Sequence, residues 1–177
     1  MEAVENSVGS TKVLGSAVEQ KKPSASDYVL GTVATAFGGA MAGVATYQLV
    51  KADSTGQRLI WGGAVGVVGA SPILMGISFF RGSQDDTITR RMQLGSLYLF
   101  ASGSALAGAG VVVESLRTKE TGRMYSGVPA ATLGLGMLGF VAYLDIKDVR
   151  EGKRGLLGEL FSNLEVSPDS VSTAVRF

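Results

Sequence analysis

Four stretches of the chain contain no Asp, Glu, Lys or Arg: residues 29–50, 59–80, 92–113 and 124–144. A helix rises about 1.5 Å per residue, so each covers roughly 33 Å, enough to cross a hydrocarbon layer about 30 Å thick. A soluble Gly/Ala-rich core is the bland alternative. Four consecutive windows of spanning length, parted by short charged loops, argue against it. The expected fold class is an all-α membrane protein. Its four transmembrane helices form two tandem, similarly oriented helical hairpins, followed by an amphipathic C-terminal helix.

The expected organisation follows from those windows. Residues 1–28 form an extramembrane N-terminal segment, and 29–80 the first hairpin (29–50 and 59–80). Residues 81–91 form a charged connector, 92–144 the second hairpin (92–113 and 124–144), and 145–177 an extramembrane tail. The opening "MEAVENSVGS" is acidic and has no apolar run ending in a small-residue cleavage site. Insertion is therefore expected to rely on the first span, unless a targeting piece has been removed upstream.

Basic residues near the span ends set orientation. Lys21, Lys22, Arg81, Arg90, Arg91, Lys147, Arg150, Lys153 and Arg154 fall on one side; Lys51, Arg58, Arg117, Lys119 and Arg123 fall on the other. That imbalance, nine against five, places both termini on the matrix, stroma or cytoplasm-equivalent side.

The phrase "GGAMAG" at 38–43 returns as "GSALAG" at 103–108. Polar turns with Thr-Gly (Thr55-Gly56 and Thr121-Gly122) follow the first and third spans, each leading through an Arg into an apolar helix. A helix–turn–helix unit copied once explains both. Each unit has an even number of spans, so the copies share one orientation and are related by an axis along the membrane normal. Compositional likeness between Gly-rich helices is the competing explanation.

Of the 25 glycines, 17 lie in the four windows. A helix-interior Gly costs about 1 kcal/mol against Ala in water. In lipid the helix persists, and the missing side chain lets another backbone approach. Residues four apart share a helix face. The expected packing pairs are Gly39/Gly43, Gly62/Gly66, Ser104/Gly108 and Ala130/Gly134. Pro72, deep in the second span, cannot donate to the helix ladder and is expected to kink it; Pro129 lies near the start of the fourth, where this matters less.

Chemistry has little to work with. There is no Cys and no His, which removes disulfides, thiol chemistry and the commonest general base and metal ligand. The net charge of +1 gives no reason to expect nucleic acid. "GLGMLG" at 134–139 fits the dinucleotide fingerprint by letters. It lies inside a helix with its amides already bonded, so it reads as a packing surface. "RGSQDDTITRR" at 81–91 clusters Arg81, Asp85, Asp86, Arg90 and Arg91, and reads as a solvated or salt-bridged connector rather than a cation site. The spans hold no ionisable acid or base, which argues against a proton-coupled carrier or pump. No catalytic, cofactor or metal site is expected, and no enzyme activity.

In the tail, Leu156, Leu157, Leu160, Phe161 and Leu164 follow a helical period, with Arg150, Lys153 and Arg154 just before or within it. Such a face suits an anionic membrane surface or a partner subunit. The four Gly-rich spans are superficially similar to the protein-import translocase family of the mitochondrial inner membrane. Arg81 and Asp85 share that family's Arg-x3-Asp fragment, but the flanking signature positions are not met. The hairpins are also similar to those of the small four-helix fatty-acid exporters of plastids and mitochondria, whose Gly-Ser and Ser-Leu turn is missing. Neither similarity carries over a site residue.

The functional expectation is a structural or accessory subunit of a larger multi-subunit membrane complex in an energy-transducing organelle membrane, of respiratory, ATP synthase or photosynthetic type. The mitochondrial inner membrane is favoured and the thylakoid is the alternative. Its partners would be other membrane subunits and structural lipids, with no small-molecule substrate identified. The alternative function is a small carrier or pore for an apolar or neutral solute, with Thr32, Thr35, Ser71, Ser102 and Thr132 along its path.

Overall fold

The structure is a computed structural model that describes residues 22–81, 87–151 and 155–156. The described residues are helical and include no strand. Helix α1 runs Ala25–Val50. The second span is one continuous helix in three parts: α2 (Thr55–Ala64), a π-helical segment (Val65–Ala70) and α3 (Ser71–Arg81). Helix α4 runs Thr87–Thr118, and α5 (Met124–Arg150) follows a short 3₁₀ turn at Thr121–Arg123. Four helices are long and apolar enough to cross a membrane, so the protein has the make-up of a multi-pass membrane protein.

Local signals explain where the helices begin. Ser24 caps α1: its hydroxyl accepts from the Asp27 amide while Asp27 Oδ2 accepts from the Ser24 amide, a reciprocal capping box. Ser54 caps α2 by accepting from the Gln57 amide at 3.1 Å. At the end of α4, Lys119 adopts φ 57°, and the Glu120 amide reaches back to the Ser115 carbonyl at 3.1 Å. This left-handed C-terminal turn usually takes glycine.

Pro72 has the expected effect on the ladder, but the outcome is a widened helix. Ahead of it, Val65–Ala70 adopts π geometry, and the Ser71 amide bonds Gly66 O, five residues back. The register change lets Ser71 face α4, where the Ser96 hydroxyl donates to Ser71 O at 2.9 Å and the two hydroxyls stand 3.0 Å apart.

The helices lie in a row, each antiparallel to the next. α1 packs on α2, the π segment and α3; that second span packs on α4; and α4 packs on α5. Among the described residues, α1 makes no close backbone approach to α4 or α5, and α5 makes none to the second span. The row is therefore open at both edges, and the second span and α4 are its two-sided inner members.

Glycine builds all three seams. Between α1 and the second span, a Cβ on Gly38 would stand 2.7 Å from Gly69 O, and one on Gly31 2.9 Å from Gly76 O. Between the second span and α4, a Cβ on Gly103 would stand 2.6 Å from Gly63 O, and one on Gly110 2.6 Å from Ile60 N. Between α4 and α5, Gly108 lies directly against Ala131, and a Cβ on Gly134 would stand 2.8 Å from Ala101 O. Contact this close between backbones is how helices associate without a hydrophobic drive.

The seams give a sharp prediction. Gly108→Leu should destabilise the fold by at least about 3 kcal/mol, the upper end for overpacking, because the obstructing atoms are backbone and cannot rotate away. Unfolding in detergent micelles measures it, with Gly136→Leu, which faces open space, as the near-neutral control.

Candidate functional site

Of the eight residues expected to pack helices, three enter the seams. Gly66 meets Leu99 O, where a Cβ would stand at 3.0 Å; Gly108 and Gly134 meet the α5 and α4 backbones. Gly39, Gly43 and Gly62 do not pack within the chain, since a Cβ on any of them would meet nothing within 4 Å. α1 uses Gly31, Thr35, Gly38, Ala42 and Ala45 instead, spaced four, three, four and three apart along one face. Two small-residue stripes run down α1, and the expectation took the wrong one for the internal contact. In α2 the neighbouring Gly63 takes the role expected of Gly62.

Ser104 and Ala130 line a groove rather than a seam. It is about 440 Å³, with α4 as its floor and the second span and α5 as its walls. Val67 and Val68 of the π segment, Phe100 and Ala107 of α4, and Leu133 and Met137 of α5 complete most of its surface. Among the described residues no charged side chain lines it, and the Ser104 hydroxyl is the one polar side-chain group. Its lining positions fall near the middle of all three uncharged windows, hence near mid-membrane depth. A second recess, about 510 Å³, lies at Thr121, Met124, Tyr125, Val128 and Pro129, around the start of α5.

Charges gather at the two ends of the row. At one end Arg90 grips Asp148 with a two-pronged hydrogen bond, Nε to Oδ2 and Nη2 to Oδ1, joining the start of α4 to the end of α5. Next to it, Asp145 is fully buried and accepts from the Tyr98 hydroxyl at 3.4 Å. At the other end, Ser54 donates to Glu114 Oε2 at 2.6 Å, and Arg117 Nη2 donates to Glu114 Oε1 at 2.6 Å. Gly56 is required here, since a Cβ would stand 2.7 Å from Glu114 Oε2. Gly122, in the other Thr-Gly turn, faces open space among the described residues.

Glu114 lies just past the uncharged window. Hydrogen bonds from Arg117, then from Ser54, hold its carboxyl below the usual carboxylate range. Sequence reading passed over both carboxylate clusters because their partners are 58 and 60 residues away.

The five hydroxyls expected along a solute path do not meet. Thr32 and Thr132 lie exposed on the outer helices and donate to their own Tyr28 and Val128 carbonyls. Ser102 bonds the Tyr98 carbonyl, Ser71 meets Ser96, and Thr35 faces Gly76. In the tail, Arg150 is exposed and Leu156 is half-buried. Lys153, Arg154, Leu157, Leu160, Phe161 and Leu164 lie outside the described residues, as do Asp85 and Asp86 of the connector. Among the described residues no cluster of acidic side chains could hold a metal ion. No known protein family, curated protein or solved structure matches the chain.

Two predictions follow from the ends of the row. Removing one partner of a buried ion pair costs about 3–5 kcal/mol. The Arg90 side chain is 42% exposed, so Arg90→Ala should cost less, about 2 kcal/mol, in micelle unfolding. Glu114, with its folded pKa depressed, contributes stability above the carboxylate range and loses it as pH falls through that range. Stability should therefore drop on acidification, with a shallower slope in Glu114→Gln.

Proposed function

We propose that the protein is a structural or accessory subunit of a larger membrane complex, built as two tandem, similarly oriented hairpins that hold neighbouring subunits by close helix contact. One observation carries the reading. The outer helices of an open row both present glycines with nothing against them: Gly39 and Gly43 on α1, Gly136 and Gly139 on α5. A glycine facing lipid gives up side-chain contact and gains none. The same residue against a neighbouring helix allows the backbone approach seen in the three internal seams. The partners in this reading are other membrane subunits and structural lipids. An energy-transducing organelle membrane, mitochondrial inner before thylakoid, is assigned by analogy with such subunits, and the basic-residue imbalance supports both termini on the matrix, stroma or cytoplasm-equivalent side.

The groove favours a second reading, a carrier for an apolar solute. It lies at mid-depth beside a π segment, a feature frequent at functional sites. Its volume falls within the range of about 300–1,000 Å³ usual for small-molecule sites. Filling it with Ala130→Phe should abolish flux of an apolar solute into liposomes if this reading holds, and leave subunit assembly unchanged.

The principal reading predicts a separation of effects. Gly39→Leu combined with Gly43→Leu should leave the thermal stability of the isolated chain within about 0.5 kcal/mol, as for surface positions. It should also remove the protein from its high-mass band on native gels of solubilised membranes. A band that keeps the double variant, or a wild-type chain that runs alone in mild detergent, ends the proposal.

A further inference from the structure

In the seams, small residues let two backbones meet. In the groove they leave space instead: Ala64, Ser104 and Ala130, one from each of three helices, line about 440 Å³. The second span and α5 make no close backbone approach to each other across it. Leu133, also in the lining, is 68% exposed, so the groove opens sideways to the hydrocarbon layer. Its lining runs from Phe100 to Ala107 on α4 and from Ala130 to Met137 on α5, about 10 Å along each axis. Volume over length gives a mean cross-section of roughly 40 Å². A helix with its side chains fills a cylinder about 10–12 Å across, roughly 80 Å² or more, so a neighbouring helix does not fit inside. A slender chain does.

We propose that the groove is a binding site for the acyl tail of a membrane phospholipid, which enters between the second span and α5 and lays its far end along α4. Depth and chemistry both point to a tail. The lining straddles the middle of the uncharged windows 92–113 and 124–144. Half of the hydrocarbon layer is about 15 Å thick, so a tail anchored at either surface reaches this depth with its far end while the headgroup stays in the polar region. Among the described lining residues only Ser104 has a polar side chain, and no charge is there to hold a phosphate or an ammonium. An empty groove would forfeit the dispersion contacts of its lining atoms, and a hydrocarbon chain restores them on three sides. The bound tail touches both the second span and α5, and so braces the row where those helices stand apart. This gives a place to the structural lipid of the subunit reading and rests only on that reading's membrane-spanning part. The isolated chain in vesicles tests the site, whereas the native gel tests the subunit role.

Photolabelling tests the site in the full chain, reconstituted in phosphatidylcholine vesicles. Two phosphatidylcholine probes are compared, one with a diazirine at the far end of an acyl chain and one with it beside the ester, and labelled residues are mapped by mass spectrometry. The far-end probe should label residues 100–107 and 130–137 several-fold more than Phe37 and Val44, which are exposed on α1 at similar depth. The ester probe should leave the groove unlabelled. Ala130→Phe, or Ser104→Leu as a second filling variant, should remove the groove labelling and spare that of α1. Ser104→Ala should change nothing, because a hydrocarbon tail takes no hydrogen bond. The comparison of the two probes on the wild-type chain needs no variant to fold. Equal labelling of groove and α1 would reduce the site to ordinary lipid contact and overturn it. Groove labelling by adamantyl diazirine alone, or its loss in Ser104→Ala, would assign the groove to a neutral solute. Labelling in vesicles but not in native membranes would assign it to a neighbouring subunit. Either result also overturns the proposal.

Discussion

Inside a hydrocarbon layer, lipid tails are as apolar as leucine, so burying leucine between helices gains little. Helices hold together there by how closely their atoms approach, and the closest approach available is backbone on backbone. All three seams are built that way, through Gly31, Gly38, Gly69 and Gly76, through Gly63, Gly103 and Gly110, and through Gly108, Gly127 and Gly134. The rest depends on this contact. It sets α4 between two neighbours, it brings Ser71 within reach of Ser96, and it leaves α1 and α5 as the open edges.

Position in the row also explains why the two similar small-residue phrases are used differently. In "GGAMAG", Gly38 packs within its own pair and Gly43 faces outward. In "GSALAG", Gly103 packs backward on the second span while Gly108 packs forward on α5. A helix with two neighbours needs two small faces, and a helix at an edge needs one. The Thr-Gly turns diverge too. Gly56 is pressed on Glu114 of α4, whereas among the described residues nothing stands within 4 Å of where a Gly122 Cβ would be. The π segment and Pro72 occur only in the second span, whose register must satisfy both α1 and α4.

Polar groups keep to places where they can be satisfied. Within the spans, hydroxyls such as Ser102 and Thr132 donate to carbonyls of their own helix. Carboxylates appear only past the uncharged windows, where Arg90 and Arg117 meet them. The row is thus apolar at mid-depth, pinned by charge at both ends, and interrupted by one uncharged groove. The proposed function starts from the open edges of this row, where glycines stand with nothing against them among the described residues.

The number of spans, their lengths, their glycine content and the absence of acid–base groups at mid-depth could all be read directly from the residues, because charge is excluded from lipid at a cost no local arrangement hides. The caps at Ser24 and Ser54 are local as well, since a cap acts over three residues, but the structure is what singles out these two hydroxyls. Which small face meets which neighbour was not legible: Gly38 and Gly39 are chemically identical and differ by 100° around the helix. Nor could the sequence show that Arg90 meets Asp148, that Ser54 meets Glu114, or that Leu156 returns to Gly95. Those contacts join residues far apart in the chain, and only the order and rotation of the packed helices decide them.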